Sequence, residues 1–283
     1  MPEIRKIHKI RQSRATMEGA GVKLKRAFGE DHPKLDPFLL LDDFGSDNPD
    51  DYLAGFPWHP HRGIETITYV LEGEVQHEDS LGNTGVIGSG DVQWMTAGSG
   101  IIHQEMPARA KNLMWGFQLW ANLPASNKMM DPRYRDVKKE DIPEIEVNGA
   151  KIKIICGEVN GTKGPVQDIV TEPEYLDVTV NSNSEFVHKV KKGHNVFTYV
   201  IQGEGYFDEI KKALLSKENL IIYEDGEEVK ISTDDSSVRF LLVSGKPIGE
   251  PVAWYGPIVM NTKEEIRIAF QEYREDNFIK YKG

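Results

Sequence analysis

Short apolar runs, each closed by Gly, Pro, Asn or Asp, recur along most of this chain, and helical periodicity is scarce until its last segment. Runs of this length bounded by turn residues are too short for ordinary helices and suit strands, so the pattern confines the fold to the all-β class. It predicts strands at 66–71, 92–96, 113–120, 151–156, 176–180, 197–201 and 238–243. One run is repeated: Tyr69-Val70-Leu71-Glu72-Gly73-Glu74 is echoed by Tyr199-Val200-Ile201-Gln202-Gly203-Glu204, one domain length later. With 283 residues, enough for two cores, the echo predicts a duplicated antiparallel β-barrel. Between Pro124 and Glu146 the apolar pattern gives way to Pro132, Pro143 and a run of charges, which places an interdomain linker there and the domains at 1–135 and 136–283. From Asn261 onward, early acids are followed by Ile266, Ala269, Phe270 and Tyr273 at helical spacing, the mark of an amphipathic C-terminal α-helix that packs on a barrel.

Charge and cysteine usage remove several classes of function. A formal net charge of −11 opposes direct nucleic-acid binding and docking on anionic membranes, both of which rest on lysine and arginine. The short basic clusters at Lys23–Arg26 and Lys189–Lys192 read as solvated faces. No apolar stretch approaches a membrane span, and the basic start of the chain lacks the apolar core of a secretion signal. The single cysteine, Cys156, reads as a small buried residue in a reducing compartment, and a cytoplasmic location is expected.

The chain has eight histidines, and three of them fall in two compact motifs: His59-Pro60-His61 and His103-Gln104-Glu105. Residues two apart on a strand face the same way, so His59 and His61 can converge on one point while His103 and Glu105 reach it from another strand. Continuing the alternation puts Glu65 on the face of His61 if no bulge intervenes. Three imidazoles and a carboxylate form a donor set suited to a single Fe(II), Mn(II), Ni(II), Cu(II) or Zn(II) ion rather than to Ca²⁺ or Mg²⁺. Four protein ligands also leave open positions on an octahedral ion. His8, His32, His77, His188 and His194 lack such company and are expected to be surface or structural residues.

The motifs Phe56–Thr66, Gly90–Gly98, Gly100–Pro107 and Gly256–Thr262 closely resemble the pirin family of the cupin superfamily, over nearly the whole chain. That resemblance implies a bicupin: two jelly-roll-like antiparallel β-barrels, with one iron in the N-terminal barrel held by His59, His61, His103 and Glu105. It places Glu65, the counterpart of a ligand in other cupins, behind the ligands. Two roles are implied. One is quercetin 2,3-dioxygenase activity on flavonols, with Glu105 as the base that takes the substrate hydroxyl proton. The other is regulation through a protein partner, switched by the metal's oxidation state. Aligning the two echoes puts Lys189 and Lys191 at the places of His59 and His61, so the C-terminal barrel is expected to hold no metal.

Overall fold

The computed structural model describes residues 2–29 and 35–281. His32 lies outside the described residues. The chain forms two compact units, and the expected strands are present in both: Val92–Thr96 keeps its expected bounds, Met114–Asn122 is displaced by one or two residues, and Ile64–Glu72, Glu174–Val180 and Asn195–Tyr206 extend beyond theirs. No helix among them is long and apolar enough to cross a membrane.

The unit that contains the histidine motifs is a sandwich of two open antiparallel sheets rather than a closed barrel. The larger sheet runs Arg133–Val137, Val92–Thr96, Ile64–Glu72, Met114–Asn122, Phe38–Ser46, Val22–Phe28, Arg14–Glu18. The smaller runs Phe56–His61, Ile101–Pro107, Val75–Asp79, Thr84–Ile87. Apolar residues of both sheets interdigitate at one end of the sandwich, where Leu24, Phe44, Val70 and Met114 meet Val75 and Ile87. The chain passes from the smaller sheet to the larger at Arg62-Gly63. Gly63 has a φ of +79°, and a Cβ there would lie 2.1 Å from the Val259 carbonyl oxygen, so this corner requires glycine.

The other unit is built on one ten-stranded sheet that bends through the long strand Asn195–Tyr206. The strand joins one set of neighbours near Tyr199 and another near Tyr206. Tyr69 and Tyr199, the first residues of the echo, are both buried and occupy corresponding places on central strands. Its interior is an apolar cluster containing Phe186, Val200, Phe207, Ile221, Phe240 and Leu242.

Two expectations about organisation are revised. The polar stretch from Pro124 is not a linker throughout: Arg133–Val137 is an edge strand of the seven-stranded sheet, paired residue for residue with Val92–Thr96. Charged residues suit an exposed sheet edge, which is why the stretch reads as loop. Nor does a single cut near residue 135 divide the units. Residues from Ile248 onward belong with Phe38–Lys139, while Ile7–Gln12 pairs with Asn219–Tyr223 in the other unit. The helix Lys263–Arg274 therefore packs in the histidine-bearing unit, where Ile266 and Ala269 meet Ile258, Met260 and Phe278. Thr262 caps it, accepting from the Glu265 amide while Glu265 reaches back to the Thr262 amide.

Candidate metal centre

Phe56–His61 and Ile101–Pro107 are neighbours in the four-stranded sheet, and their register sets His103 opposite His59. His61, one alternation further along, completes the group. The Nε2 atoms of His59 and His61 are 3.0 Å apart, and those of His59 and His103 also 3.0 Å. Among the described residues these three form the one group of three or more His, Cys, Asp or Glu with ligand atoms all within 4.8 Å of one another.

The protons of two rings are fixed by their other nitrogens. His59 Nδ1 donates to the Pro57 carbonyl at 2.9 Å, and His61 Nδ1 donates to the Pro257 carbonyl at 2.8 Å. A carbonyl only accepts, so the proton of each neutral ring sits on Nδ1 and Nε2 carries a lone pair. Burial pushes His61 and His103 well below the ordinary histidine value, the neighbouring imidazoles add to the effect, and His59 is lowered too, so all three are neutral near pH 7. Lone pairs 3.0 Å apart with no proton between them repel. A cation among the three nitrogens turns that repulsion into ligation, so the residues fit a metal ion.

Glu105 is 5% exposed, on the same strand face as His103 but beyond a register shift, and is not one of the three converging groups. Its Oε1 accepts from the Thr68 hydroxyl at 2.8 Å, and the same hydroxyl lies 2.9 Å from Gln118 Oε1. Its charge favours the protonated form of His59, which places it within electrostatic reach of the group.

Glu65 differs from its expected placement. The alternation from His61 breaks at the Arg62-Gly63 corner, so Thr68, not Glu65, faces Glu105. Glu65 lies on the opposite side of its strand, fully buried, with Oε1 accepting from Thr96 at 2.6 Å. Burial raises its pKa, and the Thr96 hydrogen bond offsets part of the rise.

His77 belongs to the site, which its isolation in the sequence concealed. It is buried on Val75–Asp79, with Nδ1 3.4 Å from His103 Nδ1. Alternation along that strand is the signal that points to it, since His77 and Asp79 share an inward face while Gln76 and Glu78 are exposed. Of the other described histidines, His8 is exposed and pairs with Glu224, His188 pairs with Glu174 at 2.9 Å, and His194 is buried.

In the other unit Lys189 and Lys191 are exposed, and Lys191 pairs with Glu172 at 2.7 Å. The inward residues there are Phe186, His188 and Val190, so the constant offset between the echoes is one residue out of phase before the turn. A cation repelling a metal is therefore not what distinguishes this interior. Packed side chains fill it.

An aromatic shelf adjoins the histidines. Trp120 meets the His61 ring edge-on at 4.9 Å between centroids, and Trp254 lies 5.9 Å beyond it. Both indoles are half-buried, and Trp58, beside His59, is exposed.

Comparison with known proteins covers both halves. The pirin family model matches residues 21–121, and the model of the pirin C-terminal cupin domain matches residues 175–279. A pirin-like protein of Solanum lycopersicum is 43% identical over 93% of this chain and 89% of its own length. A pirin-like protein of Caulobacter vibrioides is 41% identical, covering 97% of this chain and 99% of its own. The crystal structure of a quercetin 2,3-dioxygenase from Acinetobacter baumannii superposes with a TM-score of 0.90 at 32% identity, covering 97% of this chain and 98% of that one. An Escherichia coli pirin in complex with nickel(II) shares the fold at a TM-score of 0.65 and 21% identity, over 84% and 98% of the two chains.

Proposed function

As the chain belongs to the pirin family, we propose that it is a metal-dependent dioxygenase that opens the central ring of quercetin-like flavonols and releases carbon monoxide. The observation that carries the proposal is the convergence of three neutral imidazole lone pairs beside an aromatic shelf. His59, His61 and His103 hold one divalent ion, with Glu105 as the fourth ligand. The donor set suits Fe(II), and also Mn, Ni, Cu or Zn. When bound, the ion would supply Lewis acidity toward a substrate hydroxyl, and Fe(II), unlike Zn, would also supply redox capacity for dioxygen chemistry.

The side chains do the rest. Trp120 and Trp254 offer flat faces for a planar polycyclic substrate, whose hydroxyl group then points toward the histidines. Glu105, on the strand face of His103 and hydrogen-bonded to Thr68, takes the hydroxyl proton. Thr68 has one proton to give and stands within reach of both Glu105 and Gln118. When Glu105 is protonated, that hydrogen bond passes to Gln118 and no acceptor is stranded.

The test is aerobic turnover of quercetin by full-length protein of measured metal content. The proposal expects loss of flavonol absorbance with carbon monoxide release, abolished by chelation and restored by Fe(II). Metal-replete protein that gives neither overturns it and leaves the regulatory role, in which the oxidation state of the centre governs binding of a protein partner.

A further inference from the structure

The tautomers of His59 and His61 are set by backbone carbonyls, but that of His103 is not. Behind it stand two side chains that are wholly shielded from solvent, His77 and Asp79. His77 Nε2 lies 3.4 Å from Asp79 Oδ2, and His77 Nδ1 lies 3.4 Å from His103 Nδ1. Asp79 is itself held from three directions: Oδ1 accepts from the amides of Leu81 at 2.9 Å and Asn83 at 3.0 Å, and Oδ2 accepts from Asn83 Nδ2 at 2.8 Å. The Tyr134 ring packs against His77 at 4.9 Å between centroids. Burial opposes the charge of Asp79, but hydrogen bonds from His77, Asn83 and Leu81 outweigh it and hold the carboxyl below its usual range.

These contacts have one polarity. A carboxylate only accepts, so His77 carries its proton on Nε2 and offers a lone pair at Nδ1. That lone pair takes the Nδ1 proton of His103, which leaves His103 Nε2 with its lone pair directed at His59 Nε2, 3.0 Å away. We propose that Asp79 and His77 form a relay that fixes the tautomer and orientation of His103, making it a stronger donor and setting how tightly the three-histidine group holds its metal. Both are positioning residues, acting on the centre through His103. The inference rests on the metal-binding reading above.

The test uses full-length protein freed of metal and titrated with Co(II) against a competing chelator. His77→Phe keeps a ring against Tyr134 and removes both nitrogens. Asp79→Asn keeps Oδ1 for the Leu81 and Asn83 amides while presenting His77 with a donor in place of an acceptor. Each variant is expected to bind Co(II) about 10–100-fold more weakly, the usual effect of losing a group that orients a ligating histidine. A signature independent of folding accompanies this. In the proton NMR spectrum of the Co(II) form, the Nδ1 protons of His59, His61 and His103 give shifted, solvent-exchangeable signals. In His77→Phe the His103 signal exchanges away while the other two persist, and His77→Gln, which restores an acceptor, recovers it in part. Wild-type binding of Co(II) combined with an affinity within roughly twofold in both variants and an intact His103 signal overturns the relay. Failure of the wild-type protein to bind Co(II) at all overturns the metal reading itself, and the relay with it.

Discussion

Arg62→Met probes the link between the metal centre and the end of the chain. Arg62 is 2% exposed, and its guanidinium donates to the Ser99 carbonyl at 2.7 Å, Glu272 Oε2 at 2.7 Å and the Phe278 carbonyl at 2.8 Å. It also lies 4.3 Å from the centre of the Phe278 ring. Methionine keeps the apolar stem and loses every donor. Two buried carbonyls left without this partner cost about 1–3 kcal/mol each, and the cation–π contact is worth about 1 kcal/mol more. Glu272 keeps Lys280 at 2.9 Å, so its loss is small. The sum is about 5 kcal/mol. It falls on the segment that bears the Pro257 carbonyl, the acceptor that orients His61. Amide hydrogen exchange across Lys263–Arg274 reads the opening of that segment directly and is expected to accelerate roughly a thousandfold or more in the variant, at about 1.4 kcal/mol per factor of ten. Metal affinity should fall with it. Exchange within a few-fold of wild type, with unchanged metal affinity, refutes the argument that Arg62 anchors the C-terminal segment to the site.

Two other variants test separate parts of the account. Lys128 is 1% exposed and donates to Asn122 Oδ1 at 2.7 Å and to the Gly63 and Val259 carbonyls at 3.0 Å. Burial pulls its pKa down to about 8 from 10.5, against the attraction of Glu250 and Glu265. Between those pH values the unfolded chain keeps a proton that the folded chain has released. Stability relative to Lys128→Met should therefore rise by about 3 kcal/mol from pH 8 to 10.5, and parallel denaturation curves for the two proteins across that window contradict it. Glu105→Gln should keep part of the metal and lose flavonol turnover by roughly 10²–10⁴, because an amide cannot serve as a carboxylate base. Turnover near that of wild type at equal metal content removes Glu105 from the chemistry.

Strands, repeat and histidine motifs were legible because each rests on local pattern: alternation, turn residues and close spacing. Val92–Thr96 is placed to the residue, and the convergence of His59, His61 and His103 follows from the two-residue period together with one strand pairing. What escaped depends on geometry between distant segments. Parity does not survive the Gly63 corner, so Glu65 turns away from the face of His61, and the offset that puts Lys189 at the place of His59 breaks for the same reason at the turn before Asn195. His77 stands alone in the sequence and joins the site only through the pairing of Val75–Asp79 with Ile101–Pro107. The return of the C-terminal segment to the histidine-bearing unit has no local signature, since it rests on Arg62 and Lys128 reaching partners far along the chain.

The central claim is that three histidines on two neighbouring strands, with Glu105 beside them, make one metal centre. Elemental analysis of the purified protein and its His59→Ala, His61→Ala and His103→Ala variants tests it most directly. Close to one metal ion per wild-type chain is predicted, with loss of most of it in each variant, since each substitution removes one of four donors and leaves a poorer geometry for the rest. Metal content unchanged across the variants contradicts it.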